Sequence, residues 1–289
     1  MIVNKRVLNV AADNTNNNNS SGIIRPSGII KGAETKQETD DEIDFRIRER
    51  FEVLADLTDM VINGYSRSLI VSGPAGVGKS YTVEEKMRNY SSDKYTISRG
   101  FIRPTGLYKL LFENSGSGDI LILDDSDCVF MDEISLSLMK AACDTTEERV
   151  ISWRAETNMR TEDGEPLPTS FEYNGGMIFI TNTDFDAVAN SKDKLAPHVG
   201  AMVSRSDYIE LGMKTRRHYL IRIKQVIYEH DMLSDKLDKS QIEDVVGFIS
   251  NNLNNLREVS LRTAVKISNA IQANPKGWER QCRITCCNG

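Results

Sequence analysis

The sequence has no excess of positive charge. Among 289 residues, 36 Lys and Arg stand against 42 Asp and Glu, which gives a formal net charge of −6. This balance argues against a surface that is basic overall and binds nucleic acid. One basic patch survives the average, and it consists of Lys214, Arg216, Arg217, Arg222 and Lys224.

Long apolar segments are also missing. No apolar run approaches the ~20 residues that a membrane-spanning helix needs. The amino-terminal stretch MIVNKRVLNVAADNTNNNN has a weak apolar core followed by asparagines, so it is a poor signal peptide. The sequence therefore predicts a cytoplasmic protein without a membrane partner.

Cysteines are few, and most lie at one end of the chain. Of the five, Cys282, Cys286 and Cys287 fall within the last eight residues, CRITCCNG. No second ligand pair has the spacing of a zinc site, and the three histidines lie well upstream. The sequence favours a frayed, reduced tail over a metal site.

Composition and patterning divide the chain into four segments. Residues 1–40 are rich in Asn, Ser, Gly and Thr and cannot bury enough apolar surface to offset their ordering entropy, so a flexible arm is predicted there. An α/β domain is predicted at 41–212 and a small all-α domain at 213–276. The tail occupies 277–289.

Short apolar runs alternate with helical patterns between these ends. The first helix is predicted at 44–62, with a buried face made of Phe45, Ile47, Phe51, Leu54, Leu57, Met60 and Val61. Strands are predicted at 68–72, 94–98, 119–125, 149–153, 176–182 and 208–211, and helices at 80–90, 106–113 and 134–143. This alternation indicates a parallel sheet covered on both faces. A hairpin or surface insertion is predicted at 154–175, and helices at 215–230, 240–253 and 259–273.

The octapeptide GPAGVGKS at residues 73–80 fits the phosphate-binding pattern G-x-x-x-x-G-K-[ST] in full. Its glycines let successive backbone N–H groups point inward toward an anion, and the following helix adds the positive end of its dipole. Lys79 is predicted to reach the β- and γ-phosphates, and the Ser80 hydroxyl to ligate Mg²⁺. The predicted nucleotide-binding residues are Gly73, Pro74, Ala75, Gly76, Val77, Gly78, Lys79, Ser80 and Tyr81.

A second motif, LILDDSD at 121–127, ends an apolar strand in acids. Carboxylates at that edge of a parallel sheet lie where ligands bind. Asp124 suits the Mg²⁺ side of the site, and Asp125 can orient or deprotonate an attacking water. Asp127 fits a helix or turn cap as well.

Three further polar residues distinguish a hydrolase from a nucleotide binder. Asn182 ends the apolar strand of FITN and can position a water, although it can equally begin a turn. Arg205 precedes the last strand and can reach a neighbouring subunit's nucleotide. Arg262 begins a helix of the small domain and can fold back on the phosphates, and ordinary surface arginines are the alternative for both.

In this order, GPAGVGKS, LILDDSD, FITN, SRSDYIEL and LREVSLRT resemble the motifs of the AAA+ ATPases over residues 44–275. The resemblance implies Walker A at 73–80, Walker B at Asp124 and Asp125, sensor 1 at Asn182, an arginine finger at Arg205 and sensor 2 at Arg262. It also implies a three-layer α/β P-loop sandwich with a mostly parallel sheet, followed by a small all-α lid domain. The acidic chain with its Asn-rich arm is most similar to stand-alone AAA+ proteins of bacteriophages.

Two positions depart from the family pattern. The second Walker B acid is usually Glu, and Asp125 is one methylene shorter. The loop RGFIRPTG lacks the aromatic–aliphatic–Gly triplet of peptide-threading members, so Phe101 and Ile102 are candidate pore contacts, with a core role for Phe101 at least as well supported.

The resemblance implies a Mg²⁺-dependent ATPase that forms a homo-oligomeric ring or spiral, most often of six subunits, and remodels a protein or DNA substrate. Two alternatives stay open, a clamp-loader-like or helicase-loader-like ATPase on DNA and a slowly hydrolysing, ATP-gated scaffold. A P-loop kinase is disfavoured, because it needs neither the Asn182, Arg205 and Arg262 series nor a helical domain after the sheet.

Overall fold

The computed structural model describes residues 38–155, 159–161, 164–191 and 194–288. The predicted flexible arm at 1–40 lies almost wholly outside these residues. The first helix, α1 (Asp40–Ile62), begins four residues before its predicted start. A capping box fixes that start, since the Thr39 hydroxyl accepts from the Glu42 N–H and the Glu42 carboxylate accepts from the Thr39 N–H.

Seven strands follow α1. They are β1 (Ser68–Ser72), β2 (Tyr95–Arg99), β3 (Ile120–Asp124), β4 (Val150–Ser152), β5 (Ser170–Glu172), β6 (Gly176–Thr181) and β7 (Asp207–Glu210). Five of them form one sheet in the order β2-β3-β6-β1-β7, and every pairing in it is parallel. The predicted α/β P-loop fold with a mostly parallel sheet is confirmed.

Helices cover both faces of this sheet and form the region that follows it. They are α2 (Lys79–Met87), α3 (Pro104–Glu113), α4 (Glu133–Ala142), α5 (Phe185–Ala189), α6 (Ala196–Val203), α7 (Arg216–Glu229), α8 (Lys239–Asn251), α9 (Leu261–Ala273) and α10 (Trp278–Cys286). A short 3-10 helix, Asp127–Phe130, follows β3. Of these, α5, α6 and α10 go beyond the helices that the sequence predicts.

Alternate residues of each strand pack into opposite layers. In β1, Leu69 and Val71 join the cluster that contains α1 and α2, whereas Ile70 joins the cluster that contains α3, α4 and α6. This alternation follows from the two-residue period of a strand and gives three layers. A third apolar cluster lies among α7, α8, α9 and α10.

The predicted strand at 149–153 does not join the parallel sheet. Its central part, β4, pairs antiparallel with β5 in a separate two-stranded sheet. The hairpin predicted at 154–175 therefore includes this strand as its first arm, and residues 156–158 and 162–163 of its connection lie outside the described residues. Local apolar character alone does not tell a hairpin arm from a central strand.

The buried face of α1 differs from the predicted one. Phe45 is 65% exposed and Met60 is also exposed, whereas Ile43, Ile47 and Phe51 are buried. Residues two apart on a helix point about 200° apart, so Phe45 and Ile47 cannot share a face. The true stripe follows the three- and four-residue spacing.

The frayed tail predicted at 277–289 is wrong, because α10 packs on the other carboxy-terminal helices. Trp278 lies edge-on to Phe248 with ring centroids 5.6 Å apart, and Cys282 and Cys286 are buried. These three positions on α10 repeat every four residues and share one face, where cysteine serves as a small apolar side chain. The Arg257 N–H also donates to the Cys286 carbonyl at 2.8 Å.

Two features of other protein classes are absent from the described part of the chain. No helix there combines the length and apolar character needed to cross a bilayer. No group of three His, Cys, Asp or Glu side chains that could hold a metal ion occurs there, the carboxy-terminal cysteines included.

A candidate nucleotide-binding site

The phosphate loop, residues 73–80, connects β1 to α2 at the carboxyl edge of the sheet. Gly76 and Gly78 adopt φ values of 72° and 103°, which side chains other than glycine rarely tolerate. A cavity of about 210 Å³ lies against this loop, which we call the phosphate-loop cavity. Its lining residues are Ala75, Gly76, Gly78, Lys79, Ser80, Tyr81, Asp125, Asn182, Leu261 and Arg262.

Lys79 is 6% exposed, and its ammonium is held by neutral oxygens. It donates to the carbonyls of Gly73 and Pro74 at 2.7 and 2.8 Å and to Oδ1 of Asn182 at 2.8 Å. Burial lowers the pKa of Lys79 to about 8, against the opposing attraction of three nearby carboxylates. A buried cation whose hydrogen-bond acceptors are all neutral is suited to an anionic ligand such as a phosphate.

Ser80 and Asp124 present the two oxygens expected at a magnesium site. The Ser80 hydroxyl donates to Oδ1 of Asp124 at 2.9 Å, where β3 ends beside the start of α2. A hydroxyl next to a buried carboxylate is a donor set that Mg²⁺ accepts, with water in its other positions. The residues present therefore fit the predicted metal.

Asp125 and Asn182 lie side by side at the cavity. The Asn182 amide nitrogen donates to Oδ1 of Asp125 at 2.9 Å, while its amide oxygen accepts from Lys79. Asp125 has a φ of 53°, the left-handed region, and its N–H donates to the Ile180 carbonyl of β6 at 3.1 Å. Strained backbone of this kind costs on the order of 1–3 kcal/mol and persists where the surroundings enforce it.

Asp127 does not cap a helix, as the sequence allowed, but fixes the end of β6. Its carboxylate accepts from the Thr181 hydroxyl at 2.6 Å and from the Thr183 hydroxyl at 3.2 Å. Asn182 lies between these two threonines in the chain. Asp127, the third acid of the LILDDSD motif, therefore orients the segment that carries Asn182.

Arg262 reaches the phosphate-loop cavity from α9, and the loop touches the same helix directly. The Leu261 N–H donates to the Gly76 carbonyl at 2.9 Å. A Cβ on Gly76 would come within 2.7 Å of the Ser260 Cβ, so this contact requires glycine. The start of α9 thus packs against the backbone of the phosphate loop.

Arg205, which was predicted as a site residue, lies away from this cavity at the opposite end of β1. The Ser68 hydroxyl, at the first residue of β1, donates to the Arg205 carbonyl, whereas the phosphate loop follows the last residue of β1. The Arg205 guanidinium donates to the Ala201 carbonyl of α6 at 3.0 Å. Within one chain, Arg205 and the phosphate loop are therefore separated by the length of a strand.

Arg222 contacts the phosphate loop and was not predicted to do so. Instead of joining an exposed basic patch, it is buried in α7, where it donates to the Val77 carbonyl at 3.3 Å. Its guanidinium carbon lies 3.4 Å from the centroid of the Phe51 ring of α1, and burial lowers its pKa. On an amphipathic helix, an arginine is expected at the surface, so the sequence carried no signal for this contact.

Arg99 is a second unpredicted residue at the site. It ends β2, and its Nε donates to Oδ2 of Asp124 at 3.0 Å. A positional signal for it exists in the sequence, because Arg99 follows a predicted strand whose carboxyl end meets the same sheet edge as Asp124.

The two apolar residues of the loop after Arg99 differ in solvent exposure. Phe101 is 78% exposed, so the core role considered for it is wrong, whereas Ile102 is buried. The Ile102 N–H donates to the Cys128 sulfur at 3.2 Å, which ties this loop to the segment after β3.

Comparison with known proteins gives one sequence relative and several structures with a similar chain path. No protein-family model matches the chain. The chain is 37% identical over 255 residues to an uncharacterized 36.7 kDa protein of the nrdC-mobD intergenic region of Enterobacteria phage T4, covering 86% of this chain and 77% of that protein.

Two of the similar solved structures are a RuvB variant from Thermotoga maritima and NtrX from Brucella abortus. The Thermotoga maritima RuvB variant has a TM-score of 0.45 at 11% identity, over 84% of this chain and 70% of its own. NtrX from Brucella abortus, in complex with ATP, has a TM-score of 0.39 at 12% identity, over 80% of this chain and 50% of its own.

The family assignment rests on the sequence relative and on the features described above. A complete phosphate-loop motif lies between β1 and α2, the sheet is parallel, and a helical region follows it. The identity to the phage protein extends across most of both chains. The chain belongs to the same family as this phage T4 protein, and the motifs at its phosphate loop and strand ends resemble those of the AAA+ P-loop ATPases.

Proposed function

We propose that this protein binds ATP with Mg²⁺ in the phosphate-loop cavity and hydrolyses it. One observation carries the proposal: the Asn182 amide bridges Lys79, a phosphate-binding cation, and Asp125, a candidate base. A nucleotide-binding loop alone would not need this bridge. It sets a proton acceptor and a water-orienting amide beside the same cavity.

Six side chains at or beside the cavity have a role in this proposal. Lys79 and the loop N–H groups hold the β- and γ-phosphates, and Arg262 contacts them from α9. Ser80 and Asp124 hold Mg²⁺, which when bound neutralises phosphate charge. Asp125 and Asn182 orient the attacking water, and Asp125 accepts its proton.

Arg205 completes the site of a neighbouring subunit in the proposed assembly. Its separation from the phosphate loop of its own chain by a strand length supports a role between subunits. An arginine that reaches the γ-phosphate from a neighbour stabilises charge in the transition state. The active form is then a ring or spiral, as the family resemblance implies, and the helices of 213–276 act as a lid whose movement drives remodelling.

A slowly hydrolysing, ATP-gated scaffold is the second candidate. It is favoured by Asp125, whose side chain is shorter than the usual Glu and already bonded to Asn182. If Asp125 is held away from the attacking water, ATP binding and assembly remain intact while hydrolysis is slow.

The experiment that tests these functions measures the ATPase rate against protein concentration for the unchanged protein and Asp125→Asn. An ATPase predicts a rate per subunit that rises steeply with concentration and falls at least tenfold in Asp125→Asn. A scaffold predicts ATP-dependent assembly with an equally low rate in both proteins. Single-stranded DNA, double-stranded DNA and an unfolded protein are added in separate arms, and the one that stimulates the rate identifies the substrate class.

A further inference from the structure

Both oxygens of the Asp124 carboxylate already have partners. Oδ1 accepts from the Ser80 hydroxyl at 2.9 Å, and Oδ2 accepts from Nε of Arg99 at 3.0 Å. The Asp124 side chain is only 7% exposed, so its carboxylate has little room for a further ligand besides these two partners. The carboxylate that we propose to hold Mg²⁺ is therefore already paired with a full positive charge, the Arg99 guanidinium.

The β2–β3 pairing fixes the backbone position of Arg99, whereas its guanidinium remains able to move. Arg99 is the register partner of Asp124 across the β2–β3 pairing, so their backbones are neighbours. Its side chain is 54% exposed, which means that it can swing without opening a hole in the core.

A second carboxylate lies ready to receive Arg99. Nη2 of Arg99 also donates to Glu84, which is on α2, the helix that follows the phosphate loop. The guanidinium thus bridges the buried Asp124 and the half-exposed Glu84. These contacts together raise the pKa of Arg99, so it stays charged.

We propose that Arg99 is a positioning residue that balances the charge of Asp124 in the metal-free protein and moves toward Glu84 when a divalent cation binds, so that this pair sets the metal affinity of the site. The inference rests on the proposed function, because it takes Ser80 and Asp124 as the metal-binding residues. The physical reason is repulsion: a guanidinium and a divalent cation on one carboxylate oppose each other strongly in a partly desolvated site.

The two residues are expected to act in opposite directions. Arg99→Gln removes the competing charge and should tighten metal binding about threefold to tenfold. Glu84→Gln removes the alternative partner, keeps Arg99 on Asp124 and should weaken metal binding. In the double variant, Glu84→Gln should add nothing, because Glu84 acts only through Arg99.

The test is to titrate Mn²⁺ into protein saturated with a non-hydrolysable ATP analogue. Electron paramagnetic resonance measures the free and bound Mn²⁺ at each addition. Arg103→Gln is the matched control, since it removes the same charge from an exposed side chain four residues further along. The expected order of affinity is Arg99→Gln tightest, the unchanged protein and Arg103→Gln equal, and Glu84→Gln weakest.

Several outcomes would overturn the inference. They are an unchanged or weaker affinity in Arg99→Gln, or a full effect of Glu84→Gln in the double variant. Should Arg99→Gln not fold, the direction of the Glu84→Gln shift decides alone. If the unchanged protein binds neither analogue nor Mn²⁺, the proposed function fails instead, which separates the two.

Discussion

The side-chain amide of Asn182 donates a hydrogen bond to Asp125 at 2.9 Å, across the ends of two neighbouring parallel strands. The same amide accepts from Lys79 through its oxygen. An amide is the side chain that can serve a cation and a carboxylate at once, since it carries both a donor and an acceptor. The contact therefore joins the candidate base to the lysine proposed to bind phosphate without neutralising either.

Replacement of Asn182 is expected to affect turnover more than binding. Asn182→Ala leaves Lys79 with its two loop carbonyls but frees Asp125, so we expect kcat to fall about tenfold to a hundredfold with the Kd for ATP changed less than about threefold. Asn190→Ala, at an exposed position on the same segment, is the control and should match the unchanged protein. Equal losses in kcat and affinity would contradict the assigned role.

ATP affinity should decrease as pH rises through about 8. In the nucleotide-free protein, burial lowers the pKa of Lys79 to about 8, so above that pH its amine is increasingly neutral. Bound phosphates favour the charged form and raise this pKa, so binding at pH 8 takes up roughly half a proton, and affinity falls towards tenfold per pH unit above it.

Calorimetry in buffers of different ionisation enthalpy measures that proton uptake. Lys79→Arg stays charged across this range, so whatever affinity it retains should be nearly independent of pH between 7 and 9. Proton release on binding would contradict the assignment.

A shared active site predicts complementation between two inactive variants. Arg205→Ala lacks the residue offered to a neighbour, and Lys79→Ala lacks its own nucleotide site, yet a mixed assembly pairs an intact cavity with an intact Arg205. ATPase activity should therefore appear when the two are mixed and peak near equal amounts. Absence of rescue at every ratio, with assembly verified by light scattering, would count against Arg205 acting between subunits.

Removal of α10 should destabilise the carboxy-terminal helices. Deletion of residues 278–289 exposes the apolar cluster that Trp278, Cys282 and Cys286 cover. We expect a loss of several kcal/mol and a fall in melting temperature of about 10 °C. Ile284→Ser is the control, because Ile284 is exposed on the same helix, and it should change stability by no more than about 0.5 kcal/mol.

Sequence reasoning succeeded where local pattern and long-range context agree. The apolar runs of β1, β3 and β6 were predicted within a residue or two, and because their polar ends share one sheet edge, Asp124, Asp125 and Asn182 could be placed near Lys79. It failed where pairing or burial is decided at a distance. The arm β4 has the composition of a central strand but pairs with β5, and Arg222 is buried only because α1 and the phosphate loop close over it.

Calorimetric titration of ATP with Mg²⁺ tests the central claim most directly, with the unchanged protein compared with Lys79→Ala and Lys86→Ala. Lys86 lies on the same helix and pairs with Asp59 at 2.6 Å, so its removal changes the charge equally without touching the cavity. We predict saturable binding of one nucleotide per chain, retained in Lys86→Ala and weakened at least tenfold in Lys79→Ala. No heat of binding in the unchanged protein across buffers and temperatures, or equal affinity in all three, would contradict the account.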